Sequence, residues 1–176
     1  MTNGDLFFLY IQSSIIAGKG VFTKKNISQG KRICFLEGKI CPLEEMIQIV
    51  NEGTEELSDP LGIDDELYID LDELFRTFNH SCEPNTFIKG KNELIALRDI
   101  QKGEEITYDY STTMNENEEK IKKAGRTLWT CTCNCNSPLC RRIIDQFSTL
   151  PKERQMFYIK NQFMPEFMLK TFMLST

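Results

Sequence analysis

The chain contains one histidine, one tryptophan and no apolar run close to the length of a membrane span. A helix that crosses a bilayer needs about 20 consecutive apolar residues. The N-terminus lacks the basic, apolar and small-residue order of a secretory signal peptide, and no internal repeat or low-complexity linker is present. We therefore expect an intracellular protein, nuclear or cytoplasmic, with no membrane partner.

An excess of positive charge is also absent, because the formal net charge is −5 at pH 7. This balance argues against broad binding to a phosphate backbone, so we expect no direct contact with nucleic acid. It suits a basic partner instead, such as a lysine-rich tail. With 176 residues, 40% hydrophobic and 27% charged, the composition is ordinary for one globular domain, and a monomer is favoured.

Seven cysteines are an odd count, and four of them lie between Cys131 and Cys140. Such crowding is less typical of a secreted disulfide framework than of a metal site in a reducing compartment. Cys133, Cys135 and Cys140 follow the pattern Cys-x-Cys-x-x-x-x-Cys, which supplies three thiolates where a closed tetrahedral zinc site needs four. The fourth ligand must come from elsewhere. Cys131 is a further candidate, in an alternative set that uses Cys131 and Cys133, but we prefer Cys133, Cys135 and Cys140.

Two clusters of unusual residues bracket one apparent hairpin. Residues 79–85, Asn-His-Ser-Cys-Glu-Pro-Asn, hold the only histidine and suit a bend more than a strand interior. Residues 103–110, Gly-Glu-Glu-Ile-Thr-Tyr-Asp-Tyr, alternate in polarity as a half-buried strand does, which would place Tyr108 and Tyr110 on one face. Taken separately, the first cluster could be a plain turn and the second a plain strand end.

In this order and at this separation, the two clusters resemble the signature motifs of SET-domain protein lysine methyltransferases. The likeness covers roughly residues 16–141. It implies a mainly β fold with short helices, built from several short antiparallel sheets, in which the C-terminal segment threads under a loop as a pseudoknot. It also divides the chain into a SET domain at 1–128, a post-SET zinc segment at 129–143 and a C-terminal helical tail at 144–176.

The activity implied by the resemblance is transfer of a methyl group from S-adenosylmethionine to the ε-amine of a protein lysine, with S-adenosylhomocysteine as the product. The substrate would be a lysine-containing peptide or a basic protein, for example a histone tail. Tyr110 matches the family's catalytic tyrosine. Tyr108 matches a position where some members carry phenylalanine and others tyrosine. Because tyrosine there is associated with stopping early, we expect mono- or dimethylation.

The cofactor contacts of the family carry over to a set of residues that starts in a Gly-x-Gly segment: Ala17, Gly18, Lys19, Tyr68, Asn79, His80 and Trp129. For Tyr68, a half-buried strand tyrosine without a cofactor role is an equal alternative, since the stretch after it is shorter than in the family. Trp129 resembles a bulky residue placed against the adenine ring. Its alternative is packing against the tail.

The resemblance also supplies a fourth metal ligand. In many SET enzymes the cysteine after Asn-His-Ser, here Cys82, shares one structural zinc ion with post-SET cysteines at the positions of Cys133, Cys135 and Cys140. Such sharing would pin the C-terminal segment over the cofactor and the substrate channel, so that activity depends on a structural metal.

Two other classes of function are consistent with the sequence. One is a catalytically inactive SET module that binds peptide or cofactor, which a methyl-transfer assay on peptides would detect. The other is a zinc-dependent interaction module in which only the cysteines matter, and which would bind no cofactor.

Local patterns predict the remaining elements. Apolar residues at helical spacing predict a helix over Pro42–Asn51 that ends at Gly53, and residues 58–65 are expected to form a polar loop. Asn115–Ala124 should form a surface helix, because its acidic residues precede its basic ones. Methionine and phenylalanine residues predict tail helices that begin at Pro151 and Pro165 and pack as core.

Overall fold

The computed structural model of the protein describes residues 4–51 and 60–173. In this part of the chain the strands are β1 (Leu9–Ser13), β2 (Lys19–Thr23), β3 (Arg32–Phe35), β4 (Gly38–Pro42), β5 (Pro60–Asp64), β6 (Leu67–Leu71), β7 (Asn79–His80), β8 (Thr86–Lys89), β9 (Glu93–Ala96), β10 (Thr107–Tyr108), β11 (Cys131–Thr132) and β12 (Ile143–Ile144). The helices are α1 (Leu43–Asn51), α2 (Glu73–Arg76), α3 (Glu118–Lys123), α4 (Lys152–Asn161) and α5 (Glu166–Met173), with 3-10 helices at Tyr110–Thr113 and Phe147–Thr149.

These strands form several small sheets. The two larger ones have the orders β3-β9-β8 and β4-β6-β5, and the smaller ones pair β1 with β2, β7 with β10 and β11 with β12. Every pair is antiparallel except β7 with β10, which is parallel. The predicted fold class, mainly β with short antiparallel sheets and short helices, is confirmed. The threading of the C-terminal segment stays a prediction.

The main core lies between these sheets. Its members are mostly aliphatic and aromatic side chains from β1 to β10, and the most completely buried are Val21, Leu36, Ile88, Leu94, Ile100 and Ile106, followed by Leu61, Phe78 and Ala96. Burial of such side chains contributes about 1.5–3 kcal/mol each relative to leaving them exposed. The core therefore fixes the backbones on either side of the site, since Phe78 directly precedes β7 and Ile106 directly precedes β10.

The C-terminal helices enclose a second core, which includes Phe147, Leu150, Tyr158, Met164, Phe167 and Met168. It rests on the β8–β9 hairpin, where the rings of Phe163 and Phe87 lie 4.6 Å apart and the Glu166 N–H donates to the Gly90 carbonyl at 2.8 Å. The prediction that the methionine and phenylalanine residues of the tail pack as core is confirmed for most of them. Met156, Phe157 and Met173 are exposed.

Several local predictions need correction. The predicted loop 58–65 contains β5, because Leu61 and Ile63 are buried and Gly62 lets the strand approach the carbonyl of Thr113, which a Cβ would meet at 2.8 Å. Proline is tolerated at a strand start, which explains Pro60. Helix α1 begins one residue after Pro42, and its predicted end at Gly53 lies outside the described residues.

Two predictions about the motifs were also wrong in part. Asn79 and His80 form a short strand instead of a bend. The predicted strand 103–110 is reduced to β10, because Asp109 caps a 3-10 helix that begins at Tyr110.

Among the described residues, no helix is long and apolar enough to span a bilayer.

Candidate active site and metal-binding cluster

The two sequence motifs meet in the parallel pair of β7 with β10, where Asn79 lies opposite Thr107 and His80 opposite Tyr108. Asn85 fastens them together: its Nδ2 donates to the Glu105 carbonyl oxygen at 2.7 Å, and its Oδ1 accepts from the Thr107 N–H at 2.9 Å. Hydrogen bonds of a buried amide side chain hold both motifs in one register.

Asn79 is surrounded by oxygen acceptors. Its Nδ2 lies 2.6 Å from Glu105 Oε1, 2.9 Å from the Lys19 carbonyl oxygen and 3.4 Å from that of Ala17. Gly18 between those carbonyls has φ +41°, and no atom lies within 4 Å of the place where its Cβ would be. Glycine permits this conformation, so the main chain of 17–19 curls towards Asn79 with open space beside it.

The hydroxyl of Tyr110 donates to the carbonyl oxygen of Phe78 at 2.7 Å. Its ring lies 4.8 Å from the ring of Tyr108 and 6.4 Å from that of Trp129, measured between centroids. Tyr108 is buried, whereas Tyr110 is half-buried. The structure thus brings the two predicted catalytic tyrosines into contact, although they do not share a strand face.

His80 is buried and fully engaged with protein groups. Its Nδ1 accepts from the Tyr110 N–H at 3.1 Å, and its Nε2 lies 3.3 Å from Cys82 Sγ. Burial, aided by the positive charge of Arg141, lowers the pKa of His80 to about 4 although the nearby Asp109 carboxylate opposes that shift. The imidazole is therefore neutral at pH 7, and both of its nitrogens lie within hydrogen-bonding distance of protein groups.

Asp109 is a buried carboxylate that the sequence analysis did not single out. Arg141 donates to both of its oxygens at 2.7 Å, and the Tyr158 hydroxyl donates to Oδ2 at 2.8 Å. The N–H of Ser111 donates to Oδ1 at 3.1 Å. Burial alone would raise the pKa of Asp109, but the hydrogen bonds from Arg141 outweigh it and the pKa is lowered.

Four cysteine sulfurs converge beside this network. Among the residues that the structure describes, Cys82, Cys133, Cys135 and Cys140 place their Sγ atoms within 4.8 Å of one another, and those of Cys82 and Cys133 are 3.8 Å apart. A zinc–sulfur bond of about 2.3 Å implies sulfur atoms roughly 3.8 Å apart in a tetrahedron. Cys131 is not a member of this group. The cluster could hold a metal ion with little rearrangement.

Main-chain N–H groups point at these sulfurs. Arg141 N lies 3.3 Å from Cys82 Sγ, and Cys82 N lies 3.5 Å from Cys135 Sγ. Burial raises the pKa of Cys82 to about 11. Burial also acts to raise that of Cys135, but hydrogen bonds from the main chain of Cys82 and Ser137 lower it to about 7. Oriented N–H groups of this kind stabilise thiolates, the form that binds metals.

Tyr68 and Trp129 do not lie beside Asn79 and its oxygen acceptors. Both line a pocket whose walls come from α1, β5, β6, α3 and the segment after it, with the residues Met46, Ile47, Pro60, Glu116, Ile121, Arg126, Thr127 and Leu128. Burial, with a further contribution from the charge of Glu116, raises the pKa of Tyr68. Trp129 also packs against the cysteine cluster. The tryptophan therefore borders both Tyr110 and this pocket.

Sequence reasoning missed four residues that organise the site: Glu105, Asp109, Arg141 and Tyr158. Asp109 and Glu105 lie inside a recognised motif, and Arg141 directly follows the metal-ligand candidate Cys140. Their position in or next to a motif was therefore the only sequence feature that could have indicated a role in the site. Nothing in the local sequence marks Tyr158, which is 49 residues from its partner Asp109.

The sequence profile of the SET domain matches residues 18–111, more than half of the chain. This chain belongs to the SET-domain family. It is 30% identical over 152 residues to human histone-lysine N-methyltransferase 2B and 33% identical over 141 residues to histone-lysine N-methyltransferase ash1 of Drosophila melanogaster. Those alignments cover 77% and 72% of this chain, but it spans only 5% and 6% of the two relatives.

A solved structure agrees with the SET fold. The methyltransferase domain of human histone-lysine N-methyltransferase SETMAR superposes with a TM-score of 0.62 at 20% sequence identity, over 78% of this chain and 58% of that domain's chain. At this identity the likeness concerns the fold alone.

Proposed function

We propose that this chain transfers methyl groups from S-adenosylmethionine to the ε-amine of lysine in a histone tail or another basic protein. The observation that carries the proposal is the meeting of both SET motifs at Tyr110, with its hydroxyl held by Phe78 and its main chain held by His80. Membership of the SET family and relatives that are histone-lysine methyltransferases support it. On the same grounds we propose that the protein acts in the nucleus or cytoplasm.

The residues around Asn79 suit the cofactor. S-adenosylmethionine carries a cationic amino group and a sulfonium, and it supplies the electrophilic methyl group when bound. The carbonyl oxygens of Ala17 and Lys19 and the carboxylate of Glu105 form an acceptor-rich, negatively polarised cluster beside the open space at Gly18. Such a set of oxygens favours a cation. Asn79 and the main chain of His80 would orient the molecule from β7.

The chain's own contribution to the reaction is alignment and desolvation. Orientation of two reactants can supply roughly 7–11 kcal/mol of a barrier. Because the Tyr110 hydroxyl donates its proton to the carbonyl oxygen of Phe78, its oxygen can act only as an acceptor. We propose that it accepts from the N–H of an incoming lysine amine. A free lysine has a pKa of about 10.4, and apolar surroundings lower it by disfavouring the charged form. Tyr108 and Trp129 provide those surroundings beside Tyr110.

We propose zinc as the ion of the cysteine cluster, in a purely structural role. Cys82, in the first SET motif, and Cys133, Cys135 and Cys140 would be its ligands. We propose on this basis that residues 129–143 are a post-SET unit between a SET domain at 1–128 and a helical tail at 144–176. Thiolate ligands and a closed four-sulfur set are characteristic of structural zinc. The ion would hold Trp129 and Arg141 close to Tyr110 and Asp109.

The decisive experiment incubates the protein with radiolabelled S-adenosylmethionine and a panel of recombinant histones and basic lysate proteins. We expect label in at least one basic protein with wild type, and at least a hundredfold less with Tyr110→Phe. The matched control is Tyr10→Phe, which removes a phenol from β1 on a ring that packs against Phe22. No labelled protein despite calorimetric binding of the cofactor would leave the inactive module as the better description. Zinc binding without cofactor binding would favour the interaction module.

A further inference from the structure

Tyr158 of α4 reaches across the fold to the residue next to the proposed catalytic tyrosine. Its hydroxyl donates to Asp109 Oδ2 at 2.8 Å, and both side chains are almost completely buried. The two residues are 49 positions apart, and Tyr158 belongs to the second core, which is formed by the C-terminal helices. The contact therefore joins the helical tail directly to the second SET motif.

All hydrogen-bond acceptor sites of the Asp109 carboxylate are occupied. An ionised carboxylate offers about four lone-pair sites, and four donor groups fill them: two from the guanidinium of Arg141, the N–H of Ser111 and the hydroxyl of Tyr158. Loss of any one donor leaves part of a buried charge unsatisfied, which is unfavourable in a low-dielectric interior. The carboxylate would then rotate or shift towards another donor.

A shift of Asp109 is transmitted to Tyr110 through the main chain. Asp109 caps the 3-10 helix that Tyr110 begins, because its side chain accepts from Ser111 N and its carbonyl oxygen accepts from Thr112 N at 3.0 Å. The Tyr110 N–H is itself fixed by His80 at 3.1 Å. A displacement of about 1 Å from productive geometry can slow a reaction about a hundredfold.

We propose that Tyr158 is a positioning residue for methyl transfer, which fixes the start of the Tyr110 helix by holding Asp109 together with Arg141. This inference rests on the proposed function for its kinetic effect. It makes the helical tail a working part of the active site and not an appended support.

The test compares Tyr158→Phe, which removes one hydroxyl, with Phe163→Leu, which loosens the tail at its contact with Phe87 and does not touch Asp109. We expect kcat of Tyr158→Phe to fall about tenfold, equivalent to about 1.4 kcal/mol, with KM values for cofactor and peptide unchanged. Phe163→Leu should keep the wild-type kcat even where its thermal stability is equally reduced. A kcat for Tyr158→Phe within twofold of wild type, or an equal fall in both variants, would overturn the proposal.

A second measurement needs no reaction. The chain has five tyrosines, so labelling with ¹⁵N-tyrosine gives a simple amide spectrum in which Tyr110→Phe identifies the Tyr110 signal. That signal should move in Tyr158→Phe and stay in place in Phe163→Leu. An unmoved signal refutes the positioning role, whereas wild type that transfers no methyl group refutes the proposed function.

If Tyr158→Phe does not fold, Arg141→Lys tests the same carboxylate through a second side-chain partner. It keeps the positive charge but removes the two-pronged contact. The same fall in kcat and the same movement of the Tyr110 signal are expected, and their absence from this folded variant would refute the role assigned to Asp109 and thereby to Tyr158.

Discussion

The Nδ1 atom of His80 accepts a hydrogen bond of 3.1 Å from the main-chain N–H of Tyr110. An imidazole nitrogen that accepts carries no proton, so the proton of the neutral ring is on Nε2, which donates to Cys82 Sγ 3.3 Å away. One ring thus connects the tyrosine proposed for catalysis to the cysteine proposed as a zinc ligand.

This arrangement predicts how stability depends on pH. The pKa of His80 is about 4 in the folded protein and 6.5 as its ordinary value. As the pH falls, His80 therefore takes up a proton in the unfolded chain before it does so in the folded protein. The stabilisation that the neutral imidazole contributes is complete above pH 6.5 and is lost between pH 6.5 and 4. The loss could reach about 3 kcal/mol, at about 1.36 kcal/mol for each unit of pKa.

Because the chain has a single histidine, a ¹H–¹⁵N spectrum of its ring reports on this group alone. We expect the Nε2–H tautomer at pH 7 and a midpoint well below 6.5. Urea unfolding at several pH values should show the slope in wild type and a reduced slope in His80→Gln. A ring that is protonated at pH 6 would contradict the prediction.

Replacement of Tyr108 should change the product. Tyr108 is buried and its ring is 4.8 Å from that of Tyr110, so we expect its hydroxyl to restrict the space beside the proposed transfer point. Tyr108→Phe should move the product distribution towards di- and trimethyl-lysine with little effect on cofactor affinity. Mass spectrometry of a methylated peptide measures this, with Tyr10→Phe as the control. Abundant trimethyl-lysine from wild type would contradict it.

Each chain should bind one zinc ion through Cys82 and its three partners. Metal analysis should give about one equivalent for wild type and for Cys131→Ser, because Cys131 lies outside the cluster. Cys82→Ser and Cys140→Ser should lose the metal. Chelation should lower the melting temperature and abolish activity, since the segment that carries Trp129 is then released from β7. Full retention of zinc in Cys140→Ser, or its loss in Cys131→Ser, would show that the ligand set is different.

Cofactor affinity should depend on the negative charge of Glu105. Its Oε1 accepts from Asn79 at 2.6 Å and its Oε2 from the Ser14 hydroxyl at 2.8 Å. Glu105→Gln keeps the shape and removes the charge, so calorimetry should show a dissociation constant for S-adenosylmethionine about tenfold higher, or about 1.4 kcal/mol. Glu93→Gln, at a surface ion pair with Arg32, is the matched control. Equal affinities in the two variants would contradict the role of Glu105.

The sequence predicted what depends on short-range pattern. The tail helices followed from residue spacing, whereas the fold class and the choice of Cys82 came from the resemblance to SET domains. The four cysteines proposed as ligands do converge. The predicted boundaries of the strands and helices were less accurate. Alternating polarity over 103–110 predicted one strand, but the capping of Ser111 by Asp109 ends it after Tyr108.

The rest of the site depends on contacts between distant segments. Residues 60–64 contain a proline and a glycine and suggested a loop, yet they form β5 because they pair with β6. Gly62 is needed there, since a Cβ would meet the Thr113 carbonyl oxygen at 2.8 Å. Tyr158 could not be assigned a role, since a tyrosine in a helix is compatible with packing alone. Local patterns carry no information on which carboxylate a buried phenol will reach.

The β8–β9 hairpin has a consequence for how the molecule folds. It brings residues 79–85 and 103–110 together, and Asn85 fastens them once they meet. Contacts between residues that are close in sequence form quickly. Parallel pairing of remote segments is slower, because the loop between them must lose entropy before the contacts form. We therefore expect the hairpin to appear early during refolding and the pairing of β7 with β10 late, so that a newly made chain completes the surroundings of Tyr110 only in a late folding step.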